Sequence, residues 1–130
     1  MAQVHAAIGK AHYATTITTA TNTLVADEPV AHGGTAAGLA PEELLAASLA
    51  SCTSITLRMY ADRKQYAVDS IEVNVVISRD NNLNFTDIQR TITIHGTITD
   101  EERNRLLEIA NKCPVHKILS NQVTIKTDIQ

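Results

Sequence analysis

Two cysteines, Cys52 and Cys113, carry the side chains best suited to chemistry in this chain. Cys113 precedes Pro114, and proline favours the first position of a helix, so Cys113 falls near a helix N-cap. Unpaired backbone N–H groups and the helix dipole favour negative charge there. A thiol so placed ionises more readily, and the thiolate is its reactive form. His116, three residues on, lies near the same face of that turn and pushes the same way when protonated. The plain alternative is a small buried hydrophobe beside a histidine, since free cysteine is among the most buried residue types. Cys52 stands inside an apolar run. Apolar burial alone makes a thiol inert, so reactivity at Cys52 needs a charged partner brought in from elsewhere.

Glu42 and Glu43 are the acids nearest in sequence on that run. Ten residues of helix separate Glu42 from Cys52, about 15 Å at roughly 1.5 Å per residue. Within one straight helix they do not touch, and they meet only in trans, if two such helices pack antiparallel in a dimer. Otherwise Glu42 is a first-turn acid complementing the helix dipole. A metal site from Cys52, Cys113 and His116 is a weaker reading: Cys-x-x-His supplies half a motif, and structural zinc normally takes four protein ligands. We expect no metal and no cofactor.

The elements that must position these residues follow from the pattern. Residues 2–26 are rich in Ala and Thr, and Thr15, Thr16, Thr18 and Thr19 favour strand; with Gly9-Lys10 as a turn they read as a β-meander. Asp27, Pro29, Gly33, Gly34, Gly38 and Pro41 mark a loop. Pro41 then opens a helix with Glu42 and Glu43 in its first turn. From Leu44 to Leu57 it is apolar almost all round, which predicts burial. Ile71, Val73, Val75 and Ile77 alternate, Asp80-Asn81-Asn82 turns the chain, and Ile88, Ile92, Ile94 and Ile98 alternate again, as in a hairpin with one wet face. A helix starts at Thr99-Asp100-Glu101-Glu102, Cys113-Pro114 breaks it, and Val115 to Leu119 form a short turn. Val123, Ile125 and Ile129 predict a closing strand. The order is that of an α+β fold.

Composition narrows the function. The 130 residues fit one domain, 1–130. One Phe, three Tyr and no Trp leave Ile, Leu, Val and Ala to build the core, which suits a fold that gains part of its core by association. A net charge of −3 with no basic block argues against nucleic acid. There is no apolar stretch of about 18 residues and no signal-peptide pattern, so we expect a cytoplasmic protein without a membrane partner. Two cysteines in that setting are more often redox-active, metal-binding or inert core residues than a structural staple.

The run Pro41-Glu42-Glu43-Leu44-Leu45-Ala46-Ala47-Ser48-Leu49-Ala50-Ser51-Cys52 resembles the central helix of the OsmC/Ohr family, including the spacing from acid to cysteine. Cys113-Pro114-Val115-His116 resembles its second cysteine motif, and Ala26-Asp27-Glu28-Pro29 with Gly33-Gly34 resembles the OsmC-like branch. The likeness runs in order along nearly the whole chain. It implies antiparallel sheets packed around a long buried central helix in an intertwined homodimer. It implies two-cysteine reduction of organic hydroperoxides in oxidative-stress defence: Cys52 is oxidised to a sulfenic acid, Cys113 resolves it to a disulfide, and a dithiol of the lipoyl type reduces that. Glu42 corresponds to the family's acid, which orients an arginine beside the thiolate. That arginine lies in the family's N-terminal strands, whereas the first arginine here is Arg58 and the only earlier lysine is Lys10. Arg79 and Arg90 share parity with the apolar faces of their strands and are the candidates to reach inward. The competing function is an OsmC-like homodimer without peroxidase activity that binds a small apolar or electrophilic ligand at its interface.

Overall fold

The computed structural model describes all residues, Met1–Gln130, and the chain divides into two compact units, Met1–Leu45 and Ala46–Gln130. In the first, β1 (His5–Ile8), β2 (Thr15–Thr18) and β3 (Thr23–Ala26) form an antiparallel sheet in sequential order, as the threonine-rich segment predicts. The β2–β3 turn is closed by Thr19, whose N–H donates to the Asn22 carbonyl at 2.8 Å and whose hydroxyl oxygen accepts from the Asn22 N–H at 3.0 Å.

After β3 the chain is held by one carboxylate. Asp27 is buried, at 3% exposure. Its Oδ1 accepts the N–H groups of Tyr13 at 3.0 Å and Glu28 at 2.7 Å. Its Oδ2 accepts the Thr35 hydroxyl at 2.6 Å, the Thr35 N–H at 3.2 Å and the Ala37 N–H at 3.1 Å. A buried carboxylate needs such saturation, because an unpaired buried charge is costly. The loop passes so close to itself that a side chain at Gly34 would run into the Glu28 carbonyl and the Asp27 carboxylate.

Helix α1 (Pro41–Lys64) follows. Within the second unit it buries Leu49, Thr53, Leu57, Tyr60 and Ala61, a stripe at helical spacing. It is not buried all round, as its composition suggests. Ile55 and Met59 are 55% and 68% exposed, because nothing in this chain covers that side. Strands β4 (Ala67–Asp80) and β5 (Phe85–Thr97) make the long hairpin, with Ile71 opposite Ile94, Val73 opposite Ile92 and Ile77 opposite Ile88. Asp80 closes its turn by accepting the N–H groups of Asn82 and Leu83. Gly96 sits opposite an irregularity between Val68 and Ser70 with φ of 147°, a conformation that side chains rarely adopt. Helix α2 (Asp100–Ala110) has a full capping box: Thr99 accepts from the Glu102 N–H, and the Glu102 side chain accepts from the Thr99 N–H. Helix α3 (Pro114–Ser120) starts at the predicted Cys-Pro break.

The core joins Leu57, Tyr60 and Ala61 of α1, Val68 of β4 and Leu106, Ile109 and Ala110 of α2, with Ile71, Ile92 and Ile94 of the hairpin against them. The predicted closing strand is absent. Residues 121–130 pair with no strand, and Val123, Ile125 and Ile129 are exposed. Alternation alone does not make a strand, which also needs a partner for its N–H and C=O groups.

Two outcomes follow. Leu57→Ala removes a side chain with no exposure and should lower unfolding stability by about 2–5 kcal/mol in urea titration. The hydrogen bonds to Asp27, led by the Thr35 hydroxyl and the Ala37 N–H, hold its carboxyl far below the usual carboxylate range. Its stabilising contribution is therefore fully present above about pH 4 and is lost as pH falls towards the folded value. Amide exchange at Tyr13, Thr35 and Ala37 should quicken in Asp27→Asn at neutral pH.

Candidate redox site around Cys113

Four elements of the second unit converge beside the Cys113 sulfur, around the Arg90 guanidinium. Helix α1 delivers Thr53, fully buried because it occupies the i+4 position between Leu49 and Leu57 on the buried stripe. Helix α2 ends at Ala110 with Asn111 as its cap. Cys113 is the N-cap of α3 with extended backbone angles, and its sulfur accepts the His116 N–H at 3.3 Å. Its sulfur also lies 3.9 Å from the Thr53 hydroxyl oxygen. Cys113 is completely buried and Cys52 is half-buried; both are free thiols. The two cysteines lie near each other, since Thr53, which touches Cys113, directly follows Cys52.

Strand β5 supplies the cation. Arg90 lies on the inward parity between Ile88 and Ile92, and its guanidinium reaches across the sheet face into this cluster. Nη1 donates to the Thr53 hydroxyl at 3.1 Å and to the Ala110 carbonyl at 3.3 Å. Nη2 donates to Asn111 Oδ1 at 2.9 Å and meets His116 Nδ1 at 3.2 Å. Every one of these partners is neutral, and none of the ion pairs in the structure includes Arg90. Because a guanidinium only donates, His116 Nδ1 accepts and the ring proton resides on Nε2.

That contact revises the part expected of His116. Burial, and secondly the Arg90 charge, push its imidazole below the ordinary histidine range. The positive charge near Cys113 thus comes from Arg90, with His116 neutral beside it. Of the two arginines singled out by parity, Arg90 turns inward and Arg79, near the hairpin tip, is exposed. Arg58 is committed elsewhere, to Asp62 at 2.6 Å and the Val68 carbonyl at 3.0 Å. A cavity of about 250 Å³ opens beside the cluster, lined by Leu49, Ile88 and Leu119 with Arg90 and His116 at its polar side. Glu42 lies in the first turn of α1, in the N-terminal unit, where it is exposed and borders a cleft with Glu28 and His32.

Thr53 and Asn111 carry no signature in the sequence. The one clue to Thr53 is a polar residue on an otherwise apolar stripe, which must satisfy its hydroxyl locally and does so by donating to the Leu49 carbonyl at 2.7 Å.

The His116 shift has a direct test. Because its folded value is depressed, the unfolded chain takes up a proton that the folded chain resists. Stability contributed by neutral His116 is present above about pH 6.5 and declines as pH falls through that range towards the folded value. In Arg90→Gln, with one of the two causes removed, the imidazole resonances of His116 should titrate at higher pH than in the parent, as followed by NMR.

Several comparisons bear on this arrangement. The family model described as OsmC-like protein matches residues 33–128. None of the curated proteins matches the chain. Among solved structures, the OsmC-like protein from Mycoplasma pneumoniae superposes with a TM-score of 0.77 at 21% identity, over 90% of this chain and 85% of that one. The organic hydroperoxide resistance protein OsmC from Legionella pneumophila gives 0.66 at 21% identity, over 91% and 88%. The organic hydroperoxide resistance protein OhrB of Bacillus subtilis gives 0.61 at 27% identity, over 97% and 95%. The α+β architecture of antiparallel sheets and helices is that of these OsmC-like structures, and with three quarters of its residues matched by the family model, this chain belongs to the OsmC-like protein family.

Proposed function

We propose that this protein reduces organic hydroperoxides through two cysteines. The observation that carries the reading is the approach of two free thiols from different elements, Cys52 on α1 and Cys113 at the start of α3, beside a half-buried cation. The Cys52 thiolate attacks the outer oxygen of the hydroperoxide. The O–O bond breaks, an alcohol leaves, and Cys52 becomes a sulfenic acid. The Cys113 sulfur displaces hydroxide from it as water once protonated, forming the disulfide, a condensation to which sulfenic acids are prone. A small dithiol of the lipoyl type then restores both thiols.

Association completes this reading. The side of α1 bearing Ile55 and Met59 is apolar and exposed, which suits burial against a second copy in a homodimer. Antiparallel pairing of two α1 helices would bring Glu42 of one copy towards Cys52 of the other, the only arrangement in which that acid serves the site. A cytoplasmic location agrees with two cysteines that must cycle between thiol and disulfide. That membership of the family includes proteins named for organic hydroperoxide resistance supports the substrate class.

Peroxide consumption with a dithiol reductant is the test. Cys52→Ser should abolish turnover. Cys113→Ser should allow one oxidation and then stall, with mass spectrometry detecting sulfinic acid at Cys52. Steady consumption by Cys52→Ser would remove the mechanism. Sedimentation at micromolar protein should give a dimer, and a monomer there would remove the role of Glu42.

A further inference from the structure

We infer that Arg90 makes Cys113 the leaving sulfur when the Cys52–Cys113 disulfide is reduced, so that the incoming dithiol attacks Cys52. This rests on the two-cysteine reading above and assigns Arg90 as a positioning residue within it.

The argument begins with a charge that lacks a counterion. Arg90 is half-buried, and the four groups on its guanidinium are a hydroxyl, a carbonyl, an amide and an imidazole. These dipoles hold the charge in place without cancelling it. The group beside it that becomes an anion during the cycle is Cys113. Its sulfur is one hydroxyl away from Arg90 through Thr53, and it already accepts the His116 N–H, whose ring Arg90 holds. Cys52 is treated differently: its sulfur takes part in none of the hydrogen bonds or ion pairs of this chain. It is also the more exposed of the two, and in the proposed cycle it must admit the hydroperoxide in any case.

Thiol–disulfide exchange is governed by the leaving thiolate and by access to the attacked sulfur. Both select the same direction here. A thiolate of the reductant attacks Cys52 Sγ, the Cys52–Cys113 bond breaks, and the electron pair leaves on Cys113. That thiolate receives the His116 N–H and, if the Thr53 hydroxyl swings from the Leu49 carbonyl, an O–H whose oxygen is polarised by Arg90. Cys52 is left in a mixed disulfide. The second thiol of the reductant then attacks its own sulfur in that bond, releasing Cys52 and closing the reductant into its cyclic disulfide. One dithiol is oxidised, one protein disulfide is reduced, and the two protons pass from the reductant to the two cysteines. Arg90 needs no motion, because its fork is already fixed by four partners.

The full chain is oxidised with diamide, which forms the disulfide independently of peroxide, then mixed with glutathione as a monothiol probe. Rapid quenching with N-ethylmaleimide and peptide mass spectrometry reveal which cysteine carries glutathione. We expect glutathione on Cys52 and maleimide on Cys113. In Arg90→Gln, disulfide reduction should slow about tenfold and the probe should spread to Cys113, as leaving-group control predicts; Arg90→Lys should recover part of both. Thr53→Val offers the same readout with the guanidinium retained, should Arg90→Gln not fold. A merely structural role for Arg90 would leave the position of the probe unchanged. Glutathione on Cys113 in the parent, or an Arg90→Gln protein reduced at the parental rate on the same sulfur, overturns this inference while leaving the two-cysteine cycle standing. If diamide forms no Cys52–Cys113 disulfide, the cycle itself fails and the inference falls with it.

Discussion

A guanidinium without a carboxylate partner is the constraint around which the second unit of this protein is organised. A half-buried positive charge must be solvated by something, and Arg90 is solvated by three helical segments: the Thr53 hydroxyl in mid-α1, the Ala110 carbonyl and Asn111 amide where α2 stops, and the His116 ring in α3. The C-terminal carbonyls of a helix are natural partners for a cation, since they are orphaned and lie at the negative end of the dipole. One side chain from the hairpin thereby fixes the spacing between α1 and the α2–α3 junction, which is the spacing between the two cysteine-bearing segments.

The apolar content of α1 is divided between two uses. Leu49, Leu57, Tyr60 and Ala61 satisfy the chain's own core, while Ile55 and Met59 face outward. Large exposed apolar patches on a small protein generally mark an interaction surface, so the composition of this helix suits the homodimer proposed above.

Much of this was readable from residue types. Helix α1 follows from Pro41 and the acids behind it, and the hairpin from the alternation of Ile71–Ile77 and Ile88–Ile94. The capping box was written in Thr99 and Glu102, and the α3 start in Cys113-Pro114. The paired cysteine motifs carry the family resemblance in the sequence itself. What was hidden depended on long-range geometry. Parity made both Arg79 and Arg90 candidates to reach inward, but only Arg90 finds partners on the helices, while Arg79 is exposed. Thr53 was marked only by being polar on an apolar stripe, and its role appears only when the Arg90 side chain of β5 reaches it. The alternating tail at Val123–Ile129 read as a strand because sequence records a strand's faces and not whether another strand pairs with it. The lowered ionisation of His116 likewise comes first from burial and then from Arg90, 26 positions away.

The setting of Tyr60 gives the protein a built-in optical reporter. The chain has no tryptophan and three tyrosines. Tyr60 and Tyr66 meet edge to face with ring centroids 5.9 Å apart, and the Tyr60 ring lies within 5.5 Å of the Arg63 and Arg105 guanidinium carbons. The Arg105 side chain donates to the Tyr60 hydroxyl at 2.9 Å and pulls its ionisation below the ordinary tyrosine range, while burial pushes Tyr66 above it. Phenolate absorbance on alkaline titration therefore separates these two rings in the folded protein and merges them once α1 and α2 part. The docking of the two helices can in this way be followed by ultraviolet absorbance alone, with no label introduced near either cysteine.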